Sequence, residues 1–307
     1  MPRVSVLLPV FNAARYLPRA MASILAQTER DFELIAVNDG STDRSLAILK
    51  NHARNDSRIR VIDRANTGIV GALNDGLAHC TAPWVARMDA DDWCAPERLE
   101  RQLSHVGNLA GCVALGTWTM FTDPEGRLLK KYQPPTRHEE IEAELCNANG
   151  GAMIHPSCLF ARAAIEAAGG YRGKSPSPED VDLYVRLLDR GRLANLPEVL
   201  YFYRLHSASI THQAGSSWDS LLDAITRDLR ARHGLSPLRI RSHLEISASR
   251  QSKSDLRRLW SLYAAEGGNL ASAWPNIALA LLHRPWQREN FSTLRYLLHL
   301  SRKGFAP

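Results

Sequence analysis

Apolar runs and amphipathic stretches alternate through the first hundred residues. Residues 4–8, VSVLL, form a β-rich run that ends at Pro9. Leu17, Met21, Ile24 and Leu25 then recur at helical spacing, with Pro18 suited to a first turn. FELIAVN (32–38) predicts a second strand. Leu46, Leu49 and Ala53 predict a helix after DGSTD, where Ser41, Thr42 or Asp43 can cap. IRVID (59–63), a helix on Ile69, Ala72, Leu73 and Leu77, and WVARM (84–88) continue the series. Strands separated by helices imply right-handed βαβ units and a mostly parallel sheet covered by helices. Further on, CVALGTWTMF and DPEGRLLKKY predict a hairpin region around Gly126, and Asn147 to Pro178 is irregular. From about Ser216 the apolar spacing is helical, with breaks at Pro237, Gly267–Gly268 and Pro285. The expectation is an α/β domain over 1–215 and a helical C-terminal region over 216–307.

Charge changes this picture at one end. The 307-residue chain is 45% apolar and 23% charged, an ordinary globular composition, with a formal net charge of +6. Arg227 to Arg258 holds nine Lys or Arg against three acids, so the rest of the chain sums to zero. An anionic partner should meet the protein there. The region has no nucleic-acid-binding motif and no aromatic interleaving, so no nucleic-acid partner is expected. The five cysteines, Cys80, Cys94, Cys112, Cys146 and Cys158, are too far apart for a zinc knuckle or a CxxC motif. A sparse, odd set suits a reducing cytoplasm. The apolar run before Pro9 is too short for a signal peptide, and no stretch reads as a membrane span, so the expected location is cytoplasmic.

The candidate chemistry lies at strand ends. In parallel α/β sheets, ligands bind beyond the carboxyl ends of the strands. The turns PVFN, NDGSTD and DADD would open on one edge, bringing Asp39, Asp89, Asp91 and Asp92 together. Carboxylates sharing a crevice repel unless a cation neutralises them. Oxygen-only ligands suit magnesium or manganese, which also bind phosphate oxygens, so a metal-assisted reaction on a phosphorylated substrate is expected. The plainer alternatives are an Asx turn at Asp39 and a turn or helix cap at Asp92.

The combined stretches SVLLPVFNAARYLPRAMASILAQT, FELIAVNDGSTDRSLAIL, RANTGIVGALNDGLAHCTAPWVARMDADD and SPEDVDLYVRLLDRG resemble the family 2 glycosyltransferases over residues 3 to 210. The resemblance implies a GT-A fold: a Rossmann-like, mostly parallel central sheet flanked by helices, here with a C-terminal helical extension. It implies inverting transfer of a sugar from a nucleotide-diphosphate donor, by default a UDP-sugar, to an acceptor hydroxyl. Asp39 would contact the base, with Pro9, Val10 and Asn12 lining the same pocket. Asp89 and Asp91 match the DxD motif, Asp91 as metal ligand and Asp89 toward ribose or the metal shell. In the ED pair, Asp180 would be the general base. Two acids stabilising a helix N-terminus is the competing reading of Glu179 and Asp180. YFYRLHSASIT resembles the segment after that helix, with His206 a metal or diphosphate contact and Arg204 a phosphate contact. His155 is expected to shape the pocket wall on the acceptor side.

The rival activities fit less well. A nucleotide-sugar pyrophosphorylase would carry a Gly-rich, basic phosphate loop where PVFNAARYL stands. A glycoside hydrolase needs no metal cluster. A catalytically inactive nucleotide-sugar-binding module would not need Asp39, Asp91 and Asp180 together. The acceptor is expected to be a glycan or a lipid-linked glycan of a bacterial surface polysaccharide. The absence of QxxRW and of a membrane span argues against a processive synthase. The basic C-terminal region is open to two readings: a peripheral membrane contact on the inner face, or a helical subdomain with solvated arginines.

Overall fold

The computed structural model describes residues 1–173, 177–207, 217–236 and 252–302. The expected boundary at 215 and residues 237–251 of the basic stretch lie outside them. The described residues form two compact units. The first takes 1–119, 133–201 and the described part of 216–241. The second takes 120–132 and the described parts of 202–215 and 242–307.

In the first unit, β1 (Val4–Val10), β2 (Phe32–Asp39), β3 (Ile59–Arg64) and β4 (Trp84–Arg87) alternate with α1 (Leu17–Leu25), α2 (Ser45–Asn55) and α3 (Ile69–Leu77). β1 stands parallel between two neighbours, Val4 opposite Phe32 on β2 and Trp84 on β4, and β3 extends the sheet beyond β2. The chain runs outward from β1 in one direction and then returns to its other side. That reversal opens a crevice at the carboxyl ends of β1 and β4. All seven residues of β1 are buried, as expected of a strand covered on both faces. Gly76 lets α3 lie close to the sheet, since a Cβ there would sit 2.2 Å from Leu7 Cδ1.

After the short β5 (Trp93–Cys94) and α4 (Arg98–Asn108), the strands β6 (Cys112–Thr122), β7 (Leu128–Tyr132), β8 (Leu159–Ala161) and β9 (Arg192–Arg204) complete a nine-stranded sheet. Its order is β3-β2-β1-β4-β8-β6-β9-β5, with β7 on β6. β8 runs antiparallel to both β4 and β6. The helices α5 (His138–Cys146), α6 (Arg162–Ala167), α7 (Glu179–Leu187) and α8 (Ser217–Arg232) complete the first unit. The expected α/β fold with a mostly parallel inner sheet is present. One local expectation changes: α2 begins after Arg44 without a side-chain cap. The Asp43 carboxylate accepts instead from Ser45 N and Ala14 N, at 2.9 Å each. It ties the second turn to the first.

The second unit has its own core. Leu129 of β7 packs with Leu256, Trp260 and Ala264 of α9 (Lys253–Glu266), Ile277 of α10 (Leu270–His283), and Leu297 and Leu300 of α11 (Arg288–Arg302). The hairpin turn at Gly126, φ +82°, is organised by buried Asp123. Its carboxylate accepts from Arg127 N and Nε and from Asn276 Nδ2 of α10.

Candidate active site

The first and second turns are joined by Asn12. Its backbone takes the left-handed region, φ +48°, which asparagine tolerates better than most residues. Asn12 Oδ1 accepts from Thr42 N at 2.8 Å, and Asn12 N donates to Ser41 Oγ at 3.0 Å. Pro9 and Val10 end β1, buried opposite Val37 and Asn38. Asp39 follows at the end of β2 and is also buried. Its carboxylate accepts from Thr67 N at 3.1 Å and Gly68 N at 2.9 Å, and Arg64 Nε lies 3.3 Å away. A carboxylate offers about four lone-pair sites, so one further donor can be accommodated. Gly40 must turn sharply here, at φ +69°, and a Cβ would come 2.7 Å from Asn66 N.

Beyond β4, Asp89, Asp91 and Asp92 bring one carboxylate oxygen each to within 4.8 Å of one another. Ligands about 2.1 Å from magnesium stand at most about 4.2 Å apart, so a small contraction fits the triad to such an ion. The all-oxygen donor set is the right chemistry for it. Asp92 is no simple cap, since it is buried and accepts from Tyr201 Oη at 2.8 Å. The same phenol accepts from Asp89 N at 3.2 Å, so one side chain of β9 fixes two members of the triad. Burial holds the Tyr201 hydroxyl well above its usual range, keeping it a neutral donor.

Arg87, the last residue of β4, is buried and forms an ion pair with Asp89. Beneath it lies Arg98, 1% exposed. Arg98 donates to Arg87 O at 2.8 Å and to Gln102 Oε1 at 3.1 Å, and its guanidinium stands 5.1 Å from the centre of the Tyr201 ring. Gln102 donates in turn to Leu115 O and Ser157 O. The hydrogen bonds of Arg98 and Gln102 tie the end of β4 to α4, β6 and Ser157, which rigidifies the strand end that carries the triad.

Glu179 and Asp180 begin α7, half-buried, with Asp180 Oδ1 accepting from Val181 N at 2.8 Å. Burial, followed by the Asp180 charge, pushes Glu179 up to about 8. Burial also raises Asp180; the Val181 N–H and Arg87 oppose this, and Asp89 adds to it. The pair therefore lies within electrostatic reach of the Arg87–Asp89 ion pair. A carboxylate with a raised pKa is a stronger base, which suits proton abstraction. The helix-terminus reading and the catalytic one are compatible in this geometry.

His155 was expected to shape the pocket wall on the acceptor side. It is buried, its Nε2 is 3.0 Å from Tyr171 Oη, and its ring packs edge-on to Phe160 and Tyr184. Burial and then the Arg87 charge push its pKa well below the ordinary value, so it stays neutral. Arg204 and His206 belong to the second unit and are both buried, with Arg204 Nη1 donating to Pro124 O at 2.8 Å. Arg87, Arg98 and Tyr201 were not singled out in the sequence. A charged residue inside the apolar run VARM was the available signal for Arg87. Tyr201, within LYFYR, reads only as core.

The sequence profile "Glycosyl transferase family 2" matches residues 5–169. EpsE of Bacillus subtilis (strain 168), a protein named for glycosyltransferase activity, is 33% identical over 208 residues, covering 66% of this chain and 73% of EpsE. The O-antigen biosynthesis glycosyltransferase WbnJ of Escherichia coli is 32% identical over 215 residues, 69% of this chain and 83% of WbnJ. Chondroitin synthase of Escherichia coli is 29% identical, and the match spans 67% of this chain but only 29% of that longer protein. Among solved structures, S. aureus TarS 1–349 with UDP-GlcNAc superposes with a TM-score of 0.60 at 16% identity, covering 99% of this chain and 92% of that one. The mannosyltransferase PcManGT from Pyrobaculum calidifontis, with GDP-Man and Mn2+, gives 0.53 at 16% identity, covering 97% and 80%. These two likenesses speak to the fold, while the profile and the relatives speak to descent: the chain is a glycosyltransferase and belongs to glycosyl transferase family 2.

Proposed function

We propose that the protein transfers a sugar from a nucleotide-diphosphate donor, with a UDP-sugar as first choice, to a hydroxyl of a glycan or lipid-linked glycan, inverting the anomeric carbon. The observation that carries this reading is the convergence of Asp89, Asp91 and Asp92 with Glu179 and Asp180 around Arg87. Asp39, with capacity for one more donor, accepts the imide N–H of uracil, and Pro9, Val10 and Asn12 shape that end of the pocket. Asp91 holds magnesium or manganese, and Asp89 lies toward the ribose or the ion's shell. When bound, the ion supplies positive charge against the departing diphosphate. Asp180 takes the proton of the acceptor hydroxyl as that oxygen bonds to the anomeric carbon and the bond from that carbon to the diphosphate breaks. A single displacement makes a β-linked product from an α-linked donor. The sugar bound by TarS and the O-antigen role in WbnJ's name support a surface polysaccharide as the setting, on the cytoplasmic side of the membrane.

The test is a screen of UDP-, GDP- and dTDP-sugars for release of the nucleoside diphosphate, with manganese, magnesium or a chelator. Release should need a divalent ion. Asp91→Asn should lower it by about 10³-fold, because several kcal/mol of charge stabilisation depend on the ion. Undiminished turnover by a folded Asp91→Asn protein overturns the metal assignment.

A further inference from the structure

The basic stretch from Arg227 to Arg258 was the expected meeting place for an anionic partner. Several of its described arginines are already engaged. Arg227 pairs with Asp223, Arg232 with Asp189 and Arg257 with Glu125, and Arg230 donates to the carbonyls of Cys146 and Ser236. Guanidinium groups tied in this way have less to offer a partner.

The loop from 284 to 287 and α11 are different. Of the ten large apolar side chains exposed among the described residues, five fall between 282 and 298: Leu282, Trp286, Phe291, Tyr296 and Leu298. Trp286 is 90% exposed and Leu282 77%. Along α11, Phe291, Arg295, Leu298 and Arg302 follow at steps of four, three and four, which makes one stripe of a helix. All four are exposed, while Asn290, Thr293, Leu297 and Leu300 are buried on the opposite face. From 282 to 302 the charged residues are Arg284, Arg288, Arg295 and Arg302 against Glu289 alone.

An apolar stripe interleaved with arginines suits few partners. A two-fold contact with a second copy would set like charges against each other, which is costly in a desolvated interface. A small soluble anion has no use for Trp286, Leu282 or Phe291. An anionic bilayer satisfies both kinds of residue. Tryptophan favours the headgroup level, aliphatic groups reach the acyl boundary, and arginine stems lie along apolar surface with their heads at phosphates.

We propose that this face is a docking surface for an anionic phospholipid bilayer, with α11 lying along the headgroup plane over about 22 Å. The proposal does not depend on the reaction assigned above. The test is sedimentation of the full chain with vesicles of phosphatidylglycerol and phosphatidylcholine, compared with phosphatidylcholine alone. The intact protein should bind only the anionic vesicles, and more weakly as salt is raised. Trp286→Ser with Phe291→Ser should weaken binding by at least about tenfold. Arg295→Ala with Arg302→Ala should weaken it by roughly fivefold per arginine. Both pairs are exposed, so unchanged thermal melting is expected and confirms that the losses are local. No sedimentation at low salt overturns the proposal, as does binding that neither pair affects. Light scattering is the companion measurement. A dimer dissolved by the same substitutions, without vesicle binding, gives the face to a second copy instead.

Discussion

The two ends of the crevice handle negative charge in opposite ways. At the β2 end a single buried carboxylate, Asp39, is held by two backbone N–H groups and a guanidinium. At the β4 end, Asp89, Asp91, Asp92, Glu179 and Asp180 face Arg87, with Arg98 behind Tyr201. The first arrangement balances its charge and keeps room for one more neutral donor group. The second has more acid than base, and such an excess is relieved by protons or by a cation. Burial and the Asp180 charge push Glu179 up to about 8, so this carboxyl is one place where a proton can relieve the excess. Under the reading proposed above, binding and chemistry sit at different ends of one sheet edge.

That separation can be broken experimentally. The largest effect should come from Asp180→Asn, which removes the proton acceptor and keeps the shape. Turnover should fall by about 10² to 10⁴, while donor affinity measured by calorimetry stays the same; a matching loss of affinity would merge the two ends. Asp39→Ala should do the reverse. Losing a hydrogen bond to a charged acceptor, about 1.5–3 kcal/mol, should weaken nucleotide binding by about 10- to 100-fold, with kcat at saturation largely retained. Tyr201→Phe sharpens the comparison, because it deletes the hydroxyl shared by Asp89 N and Asp92 without opening a cavity. About a tenfold rise in the manganese concentration needed for half-maximal rate is expected from one such bond, with Asp39-dependent nucleotide affinity unmoved.

The smallest effect concerns stability behind the chemical end. His155 has its pKa lowered in the fold by burial and by Arg87. As pH falls below the ordinary histidine value, the unfolded chain takes up a proton that the folded one refuses. The stability this residue contributes is therefore full above that value and is lost as pH falls toward the folded pKa. Unfolding free energies from urea titrations at pH 7.5, 6.5 and 5.5 should decline, by up to about 1.4 kcal/mol per pH unit from this residue. His155→Gln should flatten that part of the decline. Parallel curves for the two proteins would remove His155 from the account.

The sequence made the parallel half of the sheet readable because each strand there is a continuous apolar run and each helix between carries a clean period. The antiparallel half was harder. β8 is three residues long, and its partners lie far away in the chain. The aspartates were legible because acids are conspicuous after apolar strands. Their supports were not. Arg98 sits at a helix start where an arginine ordinarily meets water, and only the fold places it under β4. Asp92 looked like a cap because its partner, Tyr201, lies 109 residues further along. In the C-terminal helices the net charge drew attention to Arg227 through Arg258, but charge alone does not distinguish an arginine held by a neighbouring acid from one facing solvent.

The hydroxyl of Tyr201 also has a consequence in time. The partners of Asp39 are all present once Gly68 has been made, whereas the triad waits for residue 201. A ribosome adds about 5–20 residues per second, so the interval is on the order of 10 s. Under the reading proposed above, synthesis would supply every residue of the nucleotide end well before the residue that fixes the reactive end.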